Sequence, residues 1–334
     1  MKLYAFWGFL QKKTPRYWGV RKGFYIMSIN NYTIEDFQSQ VSKILLKTQI
    51  KKKLNERVVD WLFSERLYDK ALEIQSCANH VGITNINNIA HIVKADFCRN
   101  RICNICAWRR QSKFMAQMFP VLEKLGNNYQ YLFVTLTVKN IDYENLSQTI
   151  DMLMSAYDKF LKRRKIKRAW VGKIRGLEIT YNRNTQTFHP HIHIFVAVKP
   201  SYFEDPSLYI THEELSQYWQ ECINADYIPI CHIEKVTETS SATIETLKYS
   251  FKTSSDNIAL KGYFYSLKNR RLVSFSGVFA ETRKFLKQSD FETILTDDIS
   301  PQSTKNILYS LYKFDATGGI YKYYDSIELY IKKE

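Results

Sequence analysis

The sequence has few chain breakers, with 11 Gly and 7 Pro in 334 residues. That scarcity argues against long disordered linkers. No apolar run approaches the roughly 18 residues a membrane span needs, and no basic amphipathic anchor stands out, so no membrane partner is expected. There is no Gly-x-x-x-x-Gly-Lys-Ser/Thr loop, which excludes a P-loop nucleotide site. No internal repeat is visible. Acidic residues are outnumbered, 33 against 48 Lys and Arg, giving a formal net charge of +15. The opening stretch from Lys2 to Leu10 faintly resembles a signal peptide. Its apolar part is short, and Lys12, Lys13, Arg16, Arg21 and Lys22 follow without a small-residue cleavage site, so a cytoplasmic location is expected. Met27 opens a more ordinary start, which makes residues 1–26 a candidate extension.

Hydrophobic residues make up 45% of the chain, enough for a substantial core, and aromatics 15%, with 23 Tyr. A strongly basic, aromatic-rich chain suits a polyanion, and nucleic acid before a lipid surface. The basic run Lys51-Lys52-Lys53 reads as a solvated helix face, with phosphate contact as the second reading.

Four of the six cysteines, Cys77, Cys98, Cys103 and Cys106, fall close together. Cys103-x-x-Cys106 lets two thiolates reach one tetrahedral zinc, and Cys98 and Cys77 can complete the set. A reducing compartment disfavours disulfides. Buried free thiols or a redox pair are the alternatives, and His80 and His91 are possible substitute ligands. Cys222 and Cys231 lack metal-type spacing and read as structural.

Further on, residues 131–138 alternate as a strand, with Thr135 and Thr137 on one face. A helix then ends in the cluster Lys162, Arg163, Arg164, Lys165, Lys167 and Arg168. These residues, with Arg270 and Arg271, are the candidates for DNA-backbone contact, and a solvated helix end is the plain alternative. Residues 176–181 and 188–198 form a strand pair across a polar turn. Alternation places His191 and His193 together on one face, where two imidazoles can grip a divalent ion. Glu178, in the middle of an apolar strand, is a candidate third ligand, and His189 a possible further one. Thr211 and Glu214 form a capping-box pattern ahead of another helix. In residues 240–252, Glu245, Tyr249 and Lys252 share one helical face. The stretch from 312 to 324 reads as a β-hairpin.

Three ordered motifs resemble the rolling-circle plasmid replication initiators of the HUH endonuclease superfamily. Phe133-Val134-Thr135-Leu136-Thr137-Val138 resembles the first, His189-Pro190-His191-Ile192-His193 the second, and Lys248-Tyr249 with Lys252 the third. The Cys98-to-Arg110 segment, the Glu178 strand and Arg270-Arg271-Leu272 are also similar to that family. The resemblance runs from about Cys77 to Leu286 and implies an α+β fold. Its centre is an antiparallel sheet of about five strands flanked by helices, with a four-Cys zinc-type segment before it. The expected division is an extension and helical segment at 1–55, a helical region with the Cys cluster at 56–126, the endonuclease domain at 127–260, and a C-terminal DNA-binding or structural segment at 261–334.

In function, the resemblance implies metal-dependent nicking of single-stranded or hairpin origin DNA. Tyr249 would form a 5′-phosphotyrosyl link and leave a 3′-OH primer. Lys252 would act on phosphate or phenolate, and Glu245 would activate water for the closing step. Mg²⁺ or Mn²⁺ would sit at His191, His193 and Glu178, and Zn²⁺ at the cysteines. With no P-loop, unwinding falls to a host helicase, followed by a host polymerase. The competing readings are an HUH transposase or relaxase, and a non-catalytic, zinc-stabilised DNA-binding regulator.

Overall fold

The structure is a computed structural model and describes residues 33–86, 88–237, 246, 256–288 and 307–329. Glu245, Tyr249 and Lys252 lie outside the described residues, as do residues 1–26. The description contains eight α-helices and nine strands: α1 Ile34–Ser64, α2 Tyr68–Ser76, β1 His80–Ile86, β2 Ile89–Ala95, α3 Asn104–Leu125, β3 Gln130–Thr137, α4 Tyr143–Leu161, α5 Arg164–Ala169, β4 Trp170–Asn182, β5 Thr187–Val198, α6 His212–Ile223, β6 Cys231–Lys235, α7 Asn257–Ser266, β7 Val273–Gly277, α8 Val278–Gln288, β8 Ile307–Asp315 and β9 Ile320–Leu329.

The central sheet has five antiparallel strands in the order β6-β3-β5-β4-β7, as expected. Strand β5 sits in the middle, and all but two of its residues are buried. Its even-numbered side chains, Ile192, Ile194, Val196 and Val198, face one apolar layer with Leu132, Val134 and Leu136 of β3. Leu153, Ala156 and Phe160 of α4 and Leu215 and Trp219 of α6 close that layer. Both helices are capped by the chain before them. Asp142 accepts from the Asn145 amide, and Thr211 and Glu214 form the full reciprocal capping box.

The other face is divided. Toward one end, Tyr131, Ile174, Phe195 and Ala197 pack under Met118 and Val121 of α3 and Phe279 of α8. Toward the other end the same face carries Thr135, His193, His191 and Glu178. The register requires this, because Thr135 pairs with His193 and Glu178 with His191, and directly opposed residues share a face.

A second sheet of four strands, β2-β1-β8-β9, has no counterpart in the sequence reading. The C-terminal hairpin was legible, but its partner β1 was not. Tyr309 packs where a Cβ on Gly82 would stand, 2.6 Å from its ring, so the β1–β8 contact requires glycine there. The boundary expected at 55 falls inside α1, and the one at 260 inside α7. The C-terminal segment is shared between the sheets, β7 joining the central one and β8–β9 the second.

Candidate metal centres and the active-site face

Glu178, His191 and His193 form a compact cluster, each less than 10% exposed. Glu178 Oε2 lies 3.3 Å from His191 Nε2 and 3.0 Å from His193 Nε2. His191 Nδ1 is 3.0 Å from the His189 carbonyl oxygen. A carbonyl only accepts, so Nδ1 carries the proton and a neutral His191 turns its Nε2 lone pair toward the carboxylate. Lone pairs facing one another in a buried site require a cation or an extra proton between them. Burial acts to raise the Glu178 carboxyl, but His191 and His193, when an extra proton lets their Nε2 atoms donate, outweigh it and hold the group well below the usual carboxylate range. Ligands about 2.1 Å from an octahedral ion stand about 3.0 Å apart, so the three donor atoms fit one divalent ion.

Neighbouring residues fix the rings. Thr135 Oγ1 lies 3.1 Å from His193 Nδ1, and Phe133 stacks on the His193 ring with centroids 5.3 Å apart. A hydroxyl on the far nitrogen holds an imidazole's tautomer and orientation. The sequence placed Thr135 on the correct face but gave it no task, because the register of β3 against β5 is invisible in one chain. His189 shares the face, and its half-buried ring lies 5.2 Å from that of His191. It is not among the three converging donors, and burial lowers its pKa.

Thr246 is the one described residue of the stretch 240–252 that contains the third motif. It is buried, and its backbone carbonyl lies directly against Gly176. A Cβ on Gly176 would overlap that oxygen and stand 3.1 Å from its carbon. Gly176 pairs with His193 across β4–β5, so the Thr246 carbonyl lies against the face that carries the cluster. Tyr249 follows Thr246 by three residues, a span of at most about 11 Å between Cα atoms.

The four cysteines expected as ligands also meet. Cys77 ends α2, Cys98 follows β2, and Cys103 and Cys106 occupy the N-cap and first turn of α3. Sulfur separations are 3.6 Å for Cys77–Cys106, 3.7 Å for Cys98–Cys106 and 3.6 Å for Cys77–Cys103. These are far beyond the disulfide length of about 2.05 Å. Four sulfurs at about 2.3 Å from a tetrahedral zinc would stand about 3.8 Å apart, so the set fits that ion. Hydrogen bonds from the other three thiols pull Cys103 well down, while donating to it raises Cys77 and Cys98. His80 instead pairs with Asp96, and neither His80 nor His91 joins the cluster.

Sequence reading missed two residues that brace this site. Asn55 donates to Cys103 Sγ at 3.2 Å and accepts from the Asn104 amide at 2.8 Å. Lys52 is buried rather than solvated. Its ammonium donates to the carbonyls of Gln75 and Cys77 and to Asn79 Oδ1, at 3.0, 2.8 and 2.7 Å. The available signal was polar residues on the inward helical face that also carries Val58, Val59 and Leu62 of α1.

The residues read as DNA contacts separate into two groups. Arg163 pairs with Glu221, Lys165 with Glu214 and Arg270 with Asp151. Lys162, Arg164, Lys167, Arg168 and Arg271 are exposed. The cluster from Lys162 to Arg168 precedes Trp170, eight residues along β4 from Glu178, or about 26 Å in an extended strand.

Two histidines on the middle strand of a five-stranded antiparallel sheet, with a carboxylate from the next strand, are consistent with the class of replication initiators that the sequence resembles. A family model described as "Replication protein" matches residues 89–322, which begins after Cys77 and ends within the second strand of the C-terminal hairpin. The chain is 31% identical over 273 residues to Protein rep of Streptococcus pneumoniae serotype 2 (strain D39 / NCTC 7466), covering 76% of this chain and 85% of that one. It is 33% identical over 218 residues to Protein rep of Lentilactobacillus hilgardii, covering 60% and 69%, and 29% identical over 231 residues to Protein rep of Staphylococcus aureus, covering 68% and 94%. No solved structure matches it. The chain belongs to the replication protein family of plasmid rolling-circle replication initiators. None of the described helices is long and apolar enough to cross a membrane.

Proposed function

We propose that this initiator opens a replication round by nicking one strand of single-stranded or hairpin origin DNA, with Tyr249 as nucleophile. The Tyr249 phenol loses its proton and its oxygen attacks the scissile phosphorus. The phosphorus–O3′ bond breaks, and the departing oxygen takes up a proton to become the 3′-OH primer. The 5′ end stays linked to Tyr249. Strand transfer later reverses this link, and Glu245 activates the water that closes the cycle. Lys252 offsets phosphate charge or favours the phenolate. Glu178, His191 and His193 hold the divalent ion, Mg²⁺ or Mn²⁺, which supplies charge stabilisation at the phosphate when bound. Thr135 and the His189 carbonyl keep both imidazoles oriented. Cys77, Cys98, Cys103 and Cys106 hold a structural zinc that fixes α3 beside the sheet. A host helicase unwinds the duplex and a host polymerase extends the primer.

One observation supports the reading above all: three donor atoms converge on the sheet face against which the Thr246 carbonyl lies. A purely DNA-binding regulator has no use for a carboxylate buried between two imidazoles. The test is cleavage of single-stranded oligonucleotides tiled across the replicon, with Mn²⁺, by wild type and Tyr249→Phe. A covalent adduct in wild type alone supports the proposal. Equal adduct in both removes Tyr249 as nucleophile, and none in either favours the regulator.

A further inference from the structure

A cavity of about 380 Å³ lies at the edge of the central sheet, among β7, α3 and α8. Arg271, Arg283 and Lys284 line it together with Phe114 and Phe275, and no carboxylate is among the described residues that do so. The two phenyl rings meet at 5.8 Å, and the Arg283 guanidinium lies 4.7 Å over Phe275. The result is a cationic and aromatic shelf with two exposed cations, Arg271 and Lys284, at its rim.

The register places this shelf on the active-site face. Val273 pairs with Gly176 and Phe275 with Ile174, so both project to the side that carries Glu178. Val273 is one strand across and two residues along from Glu178, about 8 Å away in an ordinary sheet.

The backbone here is held from two directions. Arg175, itself buried, donates to the Arg271 carbonyl at 2.5 Å, and Arg270 turns away to Asp151 and Ser147. Adjacent arginines thus have different tasks: Arg270 ties the segment to α4, while Arg271 is presented at the cavity.

We propose that this cavity is a nucleotide subsite for the DNA strand flanking the scissile phosphate. A base stacks on the Phe275–Arg283 shelf, and Arg271 and Lys284 pair with backbone phosphates. The inference rests on the nicking reading for its choice of ligand. The chemistry is that of single-strand binding, in which π-faces take bases without strong sequence preference and cations track the backbone.

The test is fluorescence anisotropy with a mixed-sequence single-stranded DNA oligonucleotide of about thirty nucleotides, across a salt series, using the full chain. For Arg271→Ala with Lys284→Ala, affinity falls at least about fivefold at 0.15 M salt, and the slope of log K against log salt shrinks by about 1.4, because each single-strand phosphate contact contributes about 0.7. The charge-keeping pair Arg271→Lys with Lys284→Arg retains the wild-type slope, which separates phosphate contact from misfolding. Lys43→Ala with Lys47→Ala, two exposed lysines of α1, serves as the comparison. An unchanged slope in the alanine pair, or an equal loss in the comparison pair, overturns the proposal. Because binding is read without cleavage, failure of Tyr249 as nucleophile would leave this slope unaltered, so the two proposals fail separately.

Discussion

The two candidate metal centres are built on opposite plans. The cysteine cluster draws its four ligands from the ends of two helices and a connecting loop, where each donor can be brought in only when those elements are already packed. All four donors are soft thiols, and four sulfurs complete a tetrahedron with no position for substrate. The Glu178–His191–His193 cluster takes its ligands from two neighbouring strands of one sheet, whose ladder sets their spacing without any ion. Its three hard and borderline donors fall short of the six an octahedral ion accepts. On the proposed reading, the first plan would make metal a condition of folding, and the second would let the fold prepare a site for metal and substrate together.

The comparison breaks most readily at the cysteines. Cys103→Ser is expected to destabilise the chain by more than about 4 kcal/mol, since metal binding and folding are one event in such sites. Chemical denaturation, with zinc content measured on the same sample, checks it. A variant that folds normally but no longer nicks would place this cluster in the chemistry instead.

Next in size is Glu178→Gln, for which we expect nicking to fall about a hundredfold with Mn²⁺, while stability changes by less than about 2 kcal/mol. Single-turnover cleavage and thermal unfolding read the two effects. A collapse in stability would make this centre another folding device.

Gly176→Ala tests the approach of the third-motif chain. A methyl group there overlaps the Thr246 carbonyl, so about 1–3 kcal/mol of stability and roughly tenfold in nicking are expected to be lost. Mn²⁺ affinity stays as in wild type. Loss of Mn²⁺ binding would show that Gly176 supports the ligands rather than the approaching chain.

The smallest effect concerns Thr135→Val, which removes the hydroxyl behind His193 and is expected to weaken metal binding about tenfold. Titration calorimetry with Mn²⁺ measures it, and unchanged affinity would mean that strand packing alone orients the ring.

Legibility in the sequence followed the range of the interactions. His191 and His193 were readable because strand alternation is a local rule, and Glu178 because a lone carboxylate in an apolar strand demands a partner. The capping box at Thr211 and Glu214 spans only three residues. Strand β1 was not readable. It contains Gly82 and Asn85, and it gains its place by pairing with β8 more than two hundred residues later. The ion-pair partners within the basic cluster were hidden for the same reason, because Arg163 and Lys165 find their acids 58 and 49 residues away. Lys52 counted as one of three consecutive lysines until the fold directed its ammonium onto the carbonyl ends around Cys77.

The most direct test of the account is identification of the residue that carries DNA after cleavage. The wild-type adduct, formed with Mn²⁺ on a cleavable single strand, is digested with nuclease and protease, and the modified peptide is sequenced by mass spectrometry. A 5′-linked nucleotide on Tyr249, absent from the Glu178→Gln protein, is the predicted result. A nucleotide on any other residue, or an undiminished adduct without Glu178, would contradict it.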